Sequence, residues 1–258
     1  MKRTIVFIAL IISVTLFSFK PITNPVNSVK IGITKVDSKT KITPISHATF
    51  AMEVKDITIF VDPVGGAEVF TNQKDPNLIL ITDIHGDHLN IETLEAVTKP
   101  TTTILAPQAV ADKLTAVLKK QTIVINNGET KAYKHINIEA IPMYNLRPEA
   151  LKFHSKGRGN GYVLNLEDER IYISGDTEDI PEMRSLKDID IAFVCMNLPY
   201  TMTVESAVDA VLDFKPKEVI PYHYRGTNGL SDVDAFKNLV ETESKAIKVT
   251  LLDWYPKN

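Results

Sequence analysis

Short runs rich in β-branched residues alternate along this chain with stretches whose apolar residues recur at helical spacing. In the first half, strands are predicted at Val29 to Val36, Ile42 to Glu53, Ile57 to Val61, Leu78 to Thr82, Thr103 to Ala106, Gln121 to Ile125 and His135 to Ile141. Most are bounded by Asp, Asn, Gly or Pro, the residues that end strands. Asn90 is placed to cap a helix carrying Leu94 and Val97, and Pro107 leads into a second helix from Ala109 to Lys119. The second half opens with a hairpin, Gly161 to Asn165 and Arg170 to Ser174, followed by a turn with Gly175-Asp176-Thr177. Helices are then predicted near Pro181 to Leu186, from Thr203 to Phe214 and from Asp232 to Thr242. Between and after them come strands at Ile189 to Val194, Glu218 to Pro221 and Ile247 to Leu252. Strands and helices mixed throughout imply an α/β chain with helix-covered sheets, and the absence of a linker or repeat implies one domain from residue 29 to 258.

The first 28 residues have a different character. Met1-Lys2-Arg3 precedes an apolar run from Thr4 to Phe19, then Lys20-Pro21 and a polar stretch to Ser28. The run is shorter than the roughly 20 residues that a spanning helix needs, and the basic residues in front fit an export signal. No small-x-small cleavage site follows Phe19, so the segment is either a signal peptide or an uncleaved anchor, and the protein is expected to be exported to the periplasm or another extracytoplasmic place. Membrane contact is expected only in the anchored case. The single cysteine, Cys195, lies in a run that reads as a buried strand, so the chain makes no intrachain disulfide. With 44% hydrophobic residues the chain can bury a sizeable core, and 29 Lys and Arg against 32 Asp and Glu give no attraction to nucleic acid. A small-molecule substrate is the partner expected, and the oligomeric state is left open.

Candidate chemistry is concentrated after the apolar run Leu78 to Ile81. Asp83, His85, Asp87 and His88 lie on one loop between a strand and a helix, with Gly86 allowing a tight turn. Imidazole nitrogens and carboxylate oxygens at such short spacing suit a borderline divalent ion. His154 and Arg158 follow on a basic stretch, Lys152 to Gly161, and Arg147, Lys156 and Arg158 could meet an anionic substrate.

Thr82-Asp83-Ile84-His85-Gly86-Asp87-His88 resembles the Thr-His-x-His-x-Asp-His motif of the metallo-β-lactamase-fold hydrolases, with Asp83 where the first His usually stands. Further landmarks keep the family's order. Ser46-His47-Ala48-Thr49-Phe50 with Val61-Asp62-Pro63 is similar to the start of the ascorbate-phosphate-lactonase-like branch, Gly175-Asp176-Thr177 to its Gly-Asp-Thr motif, and Ile220-Pro221-Tyr222-His223 to its terminal His. Four of the six histidines fall on these landmarks, and a fifth, His154, lies in Lys152 to Tyr162, which resembles a Phe-His-x-Lys-Gly stretch of lactonase-like relatives. The resemblance implies a four-layer αββα sandwich.

It also implies a centre of one or two divalent ions, zinc first, with manganese or iron as alternatives. His85 and Asp83 would serve the first ion and Asp87, His88 and His223 the second, with Asp176 bridging. Where many relatives carry another His, this chain has Asn145, so His154 is the replacement candidate and Asn145 a supporting residue. His47 faces the centre in the resemblance without being a ligand. The implied reaction is attack by a metal-activated water, oriented by Asp87, on an ester, lactone, amide or phosphodiester. The competing reading is a catalytically silent binding protein whose first metal site has degraded at Asp83 and Asn145.

Overall fold

The computed structural model describes residues 40 to 256, so the segment 1 to 28, expected as a signal peptide or anchor, and the strand predicted at Val29 to Val36 lie outside the described residues. Within these, one sheet is built from β1 (Lys41–Ser46), β2 (Thr49–Val54), β3 (Ile57–Val61), β4 (Leu78–Leu80), β5 (Thr103–Ala106) and β6 (Thr122–Val124), in that spatial order. The helices α1 (Ile91–Val97), α2 (Gln108–Lys113) and α3 (Ala116–Lys119) are interleaved with its later strands. A second sheet holds β7 (Thr130–Tyr133), β8 (Ile136–Met143), β9 (Gly159–Asn165), β10 (Arg170–Ile173), β11 (Ile191–Cys195) and β12 (Glu218–Tyr222). A small hairpin of β13 (Arg225–Gly226) and β14 (Gly229–Leu230) precedes β15 (Lys248–Val249), which closes the second sheet against β12. Helices α4 (Pro181–Arg184), α5 (Val204–Phe214) and α6 (Val233–Glu243) belong to this half.

Strand periodicity explains the layers. Successive residues of a strand face opposite sides. In the first sheet Phe50, Met52, Ile59, Val61, Leu78 and Leu80 therefore belong to the core shared with the second sheet. Their neighbours Ala51, Phe60, Ile79 and Ile81 form a separate core with Leu94, Val110 and Leu118 of the covering helices. On the other side Phe214, Phe236 and Val240 of α5 and α6 join the main core. The order helix, sheet, sheet, helix is thus the αββα sandwich. Between the sheets Phe50 stacks on Phe193 at 4.5 Å, with Trp254 edge-on to Phe50 at 5.7 Å. Each such buried ring contributes about 1.5–3 kcal/mol. Cys195 is fully buried in β11, and burial pushes its thiol up to about 12.

The predicted elements change in several places. The run Ile42 to Glu53 is not one strand but the hairpin β1–β2, because the chain reverses at His47 (φ 58) and Ala48, pairing Ser46 with Thr49. Pro44 is tolerated because β1 is an edge strand. The helix expected over Ala109 to Lys119 breaks at Leu114, which is extended, and restarts where the Thr115 side chain accepts a hydrogen bond from Leu118 N. The edge strand β7 carries too few apolar residues to stand out, and the final strand shrinks to Lys248–Val249. Among the described residues no helix is long and apolar enough to cross a membrane.

Candidate metal centre

Parallel pairing puts the carboxyl ends of β3, β4 and β5 on one rim of the first sheet, and those of β10, β11 and β12 on a rim of the second. Side chains just beyond strand ends converge on a cleft there. Asp62 follows β3, the loop carrying Asp83 to His88 follows β4, Asp176 follows β10, Asn197 follows β11 and His223 follows β12. Because β9 runs antiparallel to β10, the residues just before it, including His154 and Arg158, reach the same rim. The β1–β2 turn adds His47, whose carbonyl accepts a hydrogen bond from His223 N at 3.2 Å.

At the centre three buried groups face one another. His88 Nε2 and His223 Nε2 are 3.1 Å apart, and they lie 3.4 and 3.1 Å from Asp176 Oδ2 and Oδ1. The free nitrogen of His88 is chosen by its other side. Its Nδ1 donates to Asp62 Oδ2 at 2.8 Å, and Asp62 also accepts from Thr82 N at 2.7 Å and Thr82 Oγ1 at 2.6 Å. That leaves the Nε2 lone pair aimed inward, the arrangement by which a carboxylate orients a metal-binding imidazole. Asp176 Oδ1 is buried without a well-formed hydrogen bond, although His223 Nε2 is close. Two imidazole nitrogens converging on an under-satisfied buried carboxylate are the donor types that a borderline divalent cation takes.

The electrostatics divide the two imidazoles. Burial pushes the Asp176 carboxyl up, but the facing imidazoles outweigh it and hold the group well below the carboxylate range. Burial works against charge on His88 too, and there Asp176 and Asp62 win, raising it well above the usual imidazole range, so an ion at Nε2 would take the place of a proton. For His223 burial prevails over Asp176 and lowers it, leaving the neutral ring that a metal requires.

Asp87 stands at the mouth of this group, 41% exposed, with Oδ2 3.4 Å from His47 Nε2 and 3.5 Å from His223 Nε2. Its desolvation is offset first by His47 and then by the charges of His88 and His223, so the carboxyl stays well below its ordinary value. With Ser46, Val64, Arg225 and Tyr255 it lines a cleft of about 310 Å³. Asp83, His85 and His154 form a neighbouring group. His85 Nδ1 is 2.7 Å from Asp83 Oδ2, whereas His154 Nε2 lies 3.9 Å from it and 3.3 Å from Asp176 Oδ2.

All seven residues expected as ligands are thus brought to one rim, in two adjoining groups joined through Asp176. The Asn145 side chain makes no hydrogen bond to theirs, and its Oδ1 is buried without a partner. Its amide donates to Ala150 O and Tyr200 O, and Tyr200 O also faces His154 Nδ1 at 3.1 Å, so Asn145 holds the loop that carries His154. Of the cations expected to meet substrate, Arg147 is paired with Glu178 at 2.6 Å, Lys156 with Glu182 at 2.6 Å, and Arg158 with Asp83. Sequence reasoning gave Asp62 no role at His88. The available signal was a carboxylate set directly after the wholly apolar strand Ile57–Val61. Tyr255, whose hydroxyl is 2.7 Å from His47 Nδ1, and Asn197, 3.5 Å from His223 Nδ1, carried no such signal.

A model of the β-lactamase superfamily domain matches residues 41–223. A UPF0173 metal-dependent hydrolase of Pyrococcus furiosus is 31% identical over 220 residues, which are 80% of this chain and 95% of that protein. Among solved structures, a Parabacteroides distasonis protein assigned as a metal-dependent hydrolase is 39% identical, covers 84% of this chain and 94% of its own, and superposes with a TM-score of 0.75. A metallo hydrolase from Ignicoccus hospitalis, 23% identical, shares the fold with a TM-score of 0.69 over 83% of this chain and 94% of its own. With the family motif residues gathered at one rim of an αββα sandwich, the chain belongs to the metal-dependent hydrolases of the β-lactamase superfamily.

Proposed function

We propose that the chain hydrolyses an ester, lactone, amide or phosphodiester bond of a small molecule bound in the cleft beside Asp87, with His88, His223 and Asp176 holding a divalent ion. The observation that carries this reading is the convergence of His88 Nε2, His223 Nε2 and the under-satisfied Asp176 carboxylate next to an exposed carboxylate. Zinc suits nitrogen and carboxylate donors together. A divalent ion supplies Lewis acidity and brings the pKa of a water towards about 7.

The chain's own groups do the rest. Asp87 is ionised and exposed to the cleft, so it can orient a water and accept its proton. His47 Nε2 beside it and Tyr255 at His47 Nδ1 fix the orientation of that carboxylate. Arg225, its guanidinium 4.3 Å above the Tyr255 ring, gives the cleft a cation for a substrate carboxylate or phosphate. A panel of aliphatic lactones, aryl esters and bis(p-nitrophenyl) phosphate, assayed with the zinc-loaded chain, tests the proposal. Turnover of one class is expected, abolished by a chelator and lowered about 10²–10⁴-fold in Asp87→Asn. A zinc-loaded chain that turns over nothing, or an Asp87→Asn variant with full activity, would overturn it and favour a binding protein.

A further inference from the structure

We propose that the Arg158 guanidinium takes the place of an ion at the Asp83 group, so that this centre holds one divalent cation and one fixed arginine cation instead of two metals. This rests on the reading of His88, His223 and Asp176 as an ion site. Two buried carboxylates of the rim, Asp83 and Asp176, are satisfied in opposite ways. Asp176 has an oxygen without a well-formed hydrogen bond. Asp83, fully buried, has none to spare. Arg158 Nε donates to Asp83 Oδ1 at 3.1 Å, Arg158 Nη2 to Asp83 Oδ2 at 2.8 Å, and His85 Nδ1 faces the same Oδ2 at 2.7 Å.

The guanidinium is held where it stands. Its Nη2 also donates to Phe153 O at 2.5 Å and lies 3.5 Å from His85 Nε2. The planar fork matches a carboxylate edge-on, which a lysine could not do. The backbone delivers it there because Gly159 lets the chain press against the site loop. A Cβ at Gly159 would sit 2.8 Å from Thr82 O, and Asn160 N donates to that same oxygen at 2.9 Å. Thr82 precedes Asp83, so the start of β9 and the head of the loop are locked together with Arg158 over the carboxylate. A divalent ion taking Asp83 and His85 would have to displace a bidentate cation from a buried partner.

The replacement of the family's first His by Asp83 then has a physical reason. A histidine at this position could not receive two parallel hydrogen bonds from a guanidinium, whereas a carboxylate does.

Metal analysis and calorimetric zinc titration of the tag-free chain test the inference directly. One ion per chain is expected, retained in Asp83→Asn and lost in His88→Ala. Folded Arg158→Ala, checked by circular dichroism, is expected to take up two ions. Two ions in the unaltered chain, with one lost in Asp83→Asn, would overturn the proposal, as would a folded Arg158→Ala that still binds one. The count in the unaltered chain decides the matter even where a variant fails to fold. Binding of no ion at all would instead remove the metal-site reading on which the inference rests.

Discussion

Asp62 is fully buried and faces no cleft, yet it settles which nitrogen of His88 is free. Burial raises its carboxyl, and the hydrogen bonds from His88 and Thr82 work in the other direction. Replacing it with Ala should leave the imidazole free to turn and lower zinc affinity about 10–100-fold, measured by competition with a chelator of known affinity. Unchanged affinity in a folded variant would show that His88 needs no such orientation. The residues named on the family motif were legible in the sequence because ligand-type side chains crowd between Asp83 and His88. The Arg158–Asp83 pair was not, because its partners are 75 residues apart and no local pattern distinguishes a paired arginine from a solvated one.

At the level of elements, capping chemistry carried much of what could be read. Asn90 Oδ1 accepts from Thr93 N at 2.8 Å, and Thr203 and Asp232 cap α5 and α6 in the same way. Asn90→Ala should cost about 0.5–2 kcal/mol of stability, measured by urea unfolding. Since α1 follows the site loop directly, a loss well beyond that range would mean that the cap also holds the loop. Elements that escaped detection have local physical reasons. The β1–β2 reversal uses a left-handed His47 instead of the Gly or Asn expected of a turn, so the hydrophobic alternation reads straight through it. Edge strand β7, Thr-Lys-Ala-Tyr, presents alternating partly covered and exposed positions with little apolar signal.

For the whole molecule, periodicity alone revealed mixed strands and helices, and the layer order came from the resemblance to a family. The structure supplies the reason for that order. Alternate faces of β2, β3 and β4 belong to two separate cores, one shared with the second sheet and one with α1 to α3. The same parallel pairing that builds the layers brings the ends of β3, β4, β10 and β12 together, and with them residues as distant in sequence as Asp62 and His223. Anomalous diffraction from crystals of the zinc-loaded chain would locate the ion. A single ordered peak within ligand distance of His88 Nε2, His223 Nε2 and Asp176 is predicted. A peak confined to the Asp83 and His85 side, or no ordered ion between the two imidazoles, would contradict the metal centre described.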